Sequence, residues 1–139
     1  MGERAEQACA RHRSGYNCAQ AVACAFADVA GVDEEVVFRM TEGMGFGMGC
    51  MEGTCGALAG ACAVAGLMES DGNLDAPRSK GATYKVSARM LSLFRERVGA
   101  LHCKTIKGVG TGKVLMPCPE CVRIGAEIVE EVLLEGQKS

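Results

Sequence analysis

The sequence predicts an all-α protein, a single compact helical bundle interrupted by one glycine-rich loop. Three observations carry that expectation. Apolar residues recur at three- and four-residue steps, and no stretch alternates as a half-buried strand would. Cap and stop residues punctuate the periodic runs, with Asn17, Asp33 and Thr54 before them and Gly31 and Gly99 after. The 139 residues are 48% hydrophobic, sufficient for one domain with a real core. The apolar content comes mostly from Ala, Val, Leu, Met and Cys; there are four Phe, two Tyr and no Trp. Helices of this composition must pack closely through small side chains, because few rings are available to fill wide gaps.

Residues 2–12 read as a charged, peripheral helix. Asn17 caps a second helix over residues 18–30, with Val22, Phe26 and Val29 on its buried face and Gly31 as its stop. Asp33 caps a short third helix to about residue 41, with Glu34 and Glu35 in the first turn, where the macrodipole favours acids. Residues 43–53 carry five glycines, which argue for a tightly turning backbone or a close approach rather than a helix. Met44, Met48 and Met51 in this stretch read as packing residues. Thr54 caps a fourth helix over residues 55–68, in which Gly56 and Gly60 form a small-residue groove for a neighbouring helix. Residues 70–75 form a polar turn. Pro77 opens a long fifth helix to about residue 98, with Tyr84, Ala88, Leu91 and Phe94 on its apolar face and Gly99 as its stop. A brief helix begins at Cys103, and residues 108–115 read as loop. Pro117, Cys118 and Pro119 open a last helix to about residue 134, with Val122, Ala126, Val129 and Leu133 on one side. No repeat or linker divides the chain, so residues 1–139 are expected to form one domain.

Charge excludes several function classes. Fifteen basic residues against seventeen acidic ones give a net charge of −2, which is no electrostatic footprint for nucleic acid. The longest near-continuous apolar run, residues 55–68, is too short and too rich in Gly and Ala for membrane insertion. The first fifteen residues are charged throughout, unlike a secretory signal. The expectation is a cytoplasmic protein.

Nine cysteines are the compositional anomaly. Their number is odd and no export signal is read, so a complete disulfide framework is not their purpose. Cys18 follows the cap Asn17, Cys55 follows Thr54, Cys103 opens the brief helix and Cys118 lies in the first turn of the last. A helix start offers unpaired N–H groups and a partial positive charge, which favour thiolate over thiol. Neither glycine segment is a nucleotide loop: the alternating Gly43, Gly45, Gly47 and Gly49 never give the dinucleotide spacing, and Val114 after Lys113 stands where a phosphate loop needs Ser or Thr.

The chain resembles the C_GCAxxG_C_C family of small redox-active proteins. The resemblance runs through Tyr16-Asn17-Cys18-Ala19-Gln20-Ala21-Val22, the glycine-rich run into Cys55-Gly56-Ala57-Leu58-Ala59-Gly60, then Phe94, Gly99 and Cys103, to Cys118-Pro119. It implies four shared cysteines, Cys18, Cys55, Cys103 and Cys118, and a redox role. Domains of this type are also fused to haem-binding segments in some cytochromes, which implies electron transfer.

Two mechanisms fit the four. In the preferred one they ligate an iron–sulfur cluster, with Gly47, Gly49, Gly53 and Gly56 lining it and backbone N–H groups donating to its sulfurs. Cys50 is then the candidate extra ligand. In the alternative the same cysteines act without metal, as redox thiols of a thiol–disulfide oxidoreductase. A third reading is a helical binding or assembly protein with incidental cysteines, which leaves the glycine loop and the Cys55 motif unexplained. Whether the chain is an oxidoreductase or an electron carrier stays open. Its partner is expected to be a redox protein, and an exposed small-residue helix face would suit a homodimer.

The remaining cysteines, Cys9, Cys24, Cys50, Cys62 and Cys121, lie outside the shared set. Cys24 and Cys62 read as core. Cys118-Pro119-Glu120-Cys121 has no βαβ context for a thioredoxin-type site, so Cys121 is expected to face the core. His12 is expected to be solvated, and His102 to be a surface group beside Cys103.

Overall fold

A computed structural model describes residues 2–135. Eight α-helices build it: α1 (Glu3–Ser14), α2 (Cys18–Cys24), α3 (Ala27–Ala30), α4 (Glu34–Thr41), α5 (Gly56–Glu69), α6 (Lys80–Val98), α7 (Cys103–Lys107) and α8 (Cys118–Val129). A short 3-10 turn, Glu42–Met44, leads out of α4, and α8 continues as a π-helical segment, Glu130–Glu135. Among the described residues there is no strand, only an isolated bridge between Thr54 and His102. The fold is all-α. No helix among the described residues is long and apolar enough to cross a membrane.

At the centre lies α2, every residue of which is buried. Its start is fixed by a capping box. The Asn17 side chain accepts the Gln20 N–H at 2.9 Å, and the Gln20 side chain accepts the Asn17 N–H at 2.9 Å. The Asn17 amide also donates to the Glu42 carbonyl at 2.9 Å, tying the glycine segment to α2. Asn17→Ala is expected to cost about 1 kcal/mol of stability, read as a lower urea midpoint with an unchanged m-value.

Small residues let three helices close on one another. A Cβ added to Gly60 of α5 would lie 2.5 Å from the Ala19 carbonyl oxygen of α2. A Cβ on Gly125 of α8 would lie 3.0 Å from the Ala57 carbonyl oxygen of α5. The groove expected at Gly60 is therefore filled by α2. Phe26, Leu58, Met90, Phe94 and Ile128 supply the larger buried side chains around this contact. Helix α1 lies against α2 and α8, and its first turn is met by the buried Glu130 carboxylate, which accepts from the Gly2 and Arg4 N–H groups at 3.3 and 3.4 Å.

Three local expectations change. Residues 18–30 are two helices rather than one. The chain leaves helical geometry at Phe26 (φ −117°, ψ 7°), which places that ring wholly in the core and leaves Val29 on the surface. The fifth helix starts at Lys80 instead of Pro77, because Ser79 is used to accept the Asp71 N–H and close the preceding loop. Its buried side is Met90, Phe94 and Val98, with Tyr84 and Ala88 exposed. Cys55 rather than Thr54 is the cap residue of α5, because Thr54 pairs with His102 instead.

Candidate functional site

Helix starts bring the cysteines together. Cys18, Cys103 and Cys118 are the first residues of α2, α7 and α8, and Cys55 caps α5. All four line one cavity of about 170 Å³, with Cys121, His12, Asn17, Phe46, Gly56, Ile106, Lys107 and Met116. Cys18, Cys55, Cys103 and Cys121 are buried, and Cys118 is partly exposed. The cavity is the chain's concentration of sulfur.

Within it four thiols meet as two pairs. Hydrogen bonding by Cys118 is the chief influence that favours the Cys18 thiolate, with smaller contributions from the backbone N–H groups of Phe46, Ala19 and Cys18 itself. These bonds hold the charged form, chiefly through Cys118, and they outweigh burial, so the Cys18 thiol is lowered to about 6. Cys118 is raised correspondingly, because its proton is committed to Cys18 and loss of that proton would set two negative sulfurs together. The second pair repeats the arrangement. Hydrogen bonding by Cys121 is the chief influence that lowers Cys55, with help from the Ala57 and Leu58 N–H groups, and Cys121 is raised. Cys103 enters neither pair; burial raises it, while Lys107 pulls the other way.

The glycine segment supplies this geometry by an unusual backbone. Phe46, Gly47 and Met48 are consecutive left-handed residues, with φ of 57°, 57° and 63°. For the two that are not glycine this costs about 1–2 kcal/mol each, and such strain collects at functional sites. The Met51 N–H donates to the Phe46 carbonyl at 2.8 Å and the Gly53 N–H to the Gly47 carbonyl at 2.9 Å, locking the turn. The turn aims the Phe46 N–H at Cys18. A Cβ on Gly47 would lie 2.5 Å from Cys103 Cβ, so only glycine lets the two segments touch.

Of the four glycines expected around the sulfurs, Gly56 lines the cavity, and a Cβ there would collide with Cys18 Sγ. Gly47 packs on Cys103, while Gly53 accepts the Cys103 N–H at 3.0 Å through its carbonyl. Gly49 is exposed with nothing against it. Cys50 is exposed, its sulfur 4.0 Å from the Gly47 carbonyl, and it does not line the cavity.

Sequence reasoning placed one residue at the site correctly without its role and misplaced another. Cys121 does lie in the core, but on the core's wall to the cavity, paired with Cys55. Its signal was the three-residue step from Cys118, which puts both sulfurs on one face of α8. His12 is partly buried instead of solvated, with Nε2 3.7 Å from Cys118 Sγ. No local pattern foretold that contact, which spans 106 residues of sequence. Cys24 and Cys62 behave as core thiols raised by burial, Cys24 to about 11.

The family description "Putative redox-active protein (C_GCAxxG_C_C)" matches residues 16–132. The chain belongs to this family. Membership assigns it a cysteine-based redox role, and the C_GCAxxG_C_C match spans every helix that carries a cavity cysteine. His12, on α1, lies outside the matched span. No curated protein and no solved structure matches the chain.

An iron–sulfur cluster takes its thiolates around one centre. Among the described residues no three His, Cys, Asp or Glu side chains form a group that could hold a metal ion. Cys118 influences Cys18 most strongly, and Cys121 influences Cys55 most strongly.

Proposed function

We propose that this protein is a metal-free dithiol redox protein in which Cys18 is the attacking thiolate and Cys118 the resolving thiol. The placing of Cys18 and Cys118 at two helix starts on one cavity wall, with the Cys18 thiol lowered to about 6, carries the reading. It keeps one sulfur ionised near neutral pH and holds the second beside it, the two requirements of thiol–disulfide exchange.

The reaction balances between the protein and an external disulfide. The Cys18 thiolate attacks one sulfur, the external S–S bond breaks, and the first external sulfur leaves as thiolate. Once Cys18 Sγ is in a mixed disulfide it no longer holds the Cys118 proton. Cys118 then loses that proton, attacks Cys18 Sγ and expels the second external thiolate. The protein gains one disulfide and loses two electrons; the external disulfide gains them as two thiols. His12 Nε2, 3.7 Å from Cys118 Sγ, is the basic group beside the departing proton. A cavity of about 170 Å³ has room for roughly five or six waters, so it admits the few atoms next to a disulfide rather than a whole large molecule.

Trapping tests the assignment. With Cys55, Cys103, Cys118 and Cys121 all changed to Ser, Cys18 is the one thiol left on the cavity wall. Incubation with 2-hydroxyethyl disulfide is expected to leave one mercaptoethanol adduct on Cys18, read by peptide mass mapping. The native chain is expected to release it and carry a Cys18–Cys118 disulfide. An adduct spread over other cysteines, with Cys18 unmodified, would refute the assignment.

A further inference from the structure

We propose that Cys55 and Cys121 form a second, inner redox pair that receives its disulfide from Cys18–Cys118, making the cavity a two-step relay. This inference rests on the dithiol reading above. It goes beyond it by giving Cys121 a role and the protein a capacity of two disulfides instead of one.

Burial sets the order. Cys118 is partly exposed and Cys121 is 1% exposed and embedded among core residues, while Cys18 and Cys55 lie between them at 7% and 5%. An external disulfide reaches the outer pair first. Cys121, the most deeply buried of the four thiols, is reached last. Both pairs line the same cavity, and Cys18 Sγ rests against Gly56, the residue bonded to Cys55. On α8, Cys118 and Cys121 are three residues apart on one face. Cys18 thus lies beside the segment that carries Cys55, and Cys118 shares a face of α8 with Cys121.

The transfer needs no further reactant. Cys55 thiolate attacks Cys18 Sγ, the Cys55–Cys18 bond forms, and the Cys18–Cys118 bond breaks with its electron pair left on Cys118. Cys121 then attacks Cys55 Sγ and releases Cys18 as thiolate. The proton lost by Cys121 ends on Cys118. Before the transfer the inner pair held one thiolate and one thiol; afterwards the outer pair does.

The test follows formation of the Cys55–Cys121 disulfide in the full chain, reduced and then treated with 2-hydroxyethyl disulfide, by quenching and peptide mass mapping. The native chain is expected to form both disulfides. Cys18→Ser and Cys18→Ala are each expected to slow the inner disulfide at least tenfold. Cys118→Ser, which cannot form the outer disulfide but leaves a Cys18 adduct that Cys55 can resolve, is expected to form the inner disulfide more slowly than the native chain and several-fold faster than Cys18→Ser. That rescue separates transfer through Cys18 from a structural effect of losing a buried thiol. An inner disulfide formed at the native rate without Cys18, or never formed while Cys18–Cys118 forms normally, would overturn the relay and leave the dithiol reading standing. Failure of Cys18–Cys118 itself to form would remove the dithiol reading and the relay with it.

Discussion

At about pH 5, iodoacetamide is expected to label Cys18 about 20-fold faster than an ordinary thiol of equal access. The magnitude follows from two opposed effects. Held at about 6, Cys18 carries about 300-fold more thiolate at that pH than a thiol of ordinary pKa, about 8.5. Lowering the pKa also weakens the nucleophile, by about 15-fold over that interval. The advantage is therefore largest in acid and disappears at alkaline pH, where every accessible thiol is ionised. The rate is expected to rise with pH through an inflection near 6 and then level off. Cys118→Ala removes the largest cause of the lowering and is expected to move the inflection to the alkaline side, whereas Cys118→Ser retains a donor and moves it less. A profile with no inflection near 6, or one unmoved in Cys118→Ala, would show that Cys118 does not stabilise the thiolate.

The second large effect is on stability, and its sign opposes helix propensity. Alanine at an ordinary helix position is favoured over glycine by about 1 kcal/mol. At Gly60 the new Cβ would meet backbone, 2.5 Å from the Ala19 carbonyl oxygen, which cannot swing aside as a side chain does. Gly60→Ala is expected to destabilise by about 1–3 kcal/mol, and to disturb the cavity as well, since α2 presents Cys18. Gly66, in the same helix, has nothing within 4 Å of its Cβ position, so Gly66→Ala is expected to stabilise by up to about 1 kcal/mol. Urea unfolding of the two variants checks both signs. Equal stabilisation by both would mean that α2 and α5 are not in backbone contact at Gly60.

These two results draw on what the sequence makes readable and what it hides. Gly56 and Gly60 announce a groove because glycine four residues apart in an apolar helix serves little other purpose, and the groove is filled by α2. The Asn17 cap was equally readable, since capping is a local interaction between residues three apart. The gathering of Cys18, Cys55, Cys103 and Cys118 at helix starts followed from the same local signals, good to about one residue. Pairing is a different kind of fact. Whether Cys18 meets Cys118 or Cys55 depends on how α2, α5 and α8 cross, and nothing in the spacing of cysteines encodes a crossing. Cys121 was set aside because burial is the ordinary fate of a free cysteine; it is buried, but against a cavity. Cys50 sits five residues before Cys55, yet the left-handed turn at Phe46–Gly47–Met48 carries it to the surface.

The turn also shows why the glycine segment misleads as a sequence signal. Five glycines suggested a cradle of backbone N–H groups from the glycines themselves. The loop N–H that meets Cys18 comes from Phe46, a residue that L-amino-acid sterics would not place in the left-handed region. Phe46 is held there by the bonds through Met51 and Gly53. The glycines beside it act mainly as spacers, at Gly45 against Asn17 and at Gly47 against Cys103.

The most direct measurement is a disulfide map of the protein purified anaerobically from iron-replete cells, with iron and acid-labile sulfide assayed on the same preparation, before and after exhaustive oxidation. Dithiol chemistry predicts a colourless, iron-free protein in which oxidation links Cys18 to Cys118. Stoichiometric iron and sulfide, lost when Cys18 or Cys118 is replaced, would contradict it, as would oxidised protein in which both of those thiols remain free.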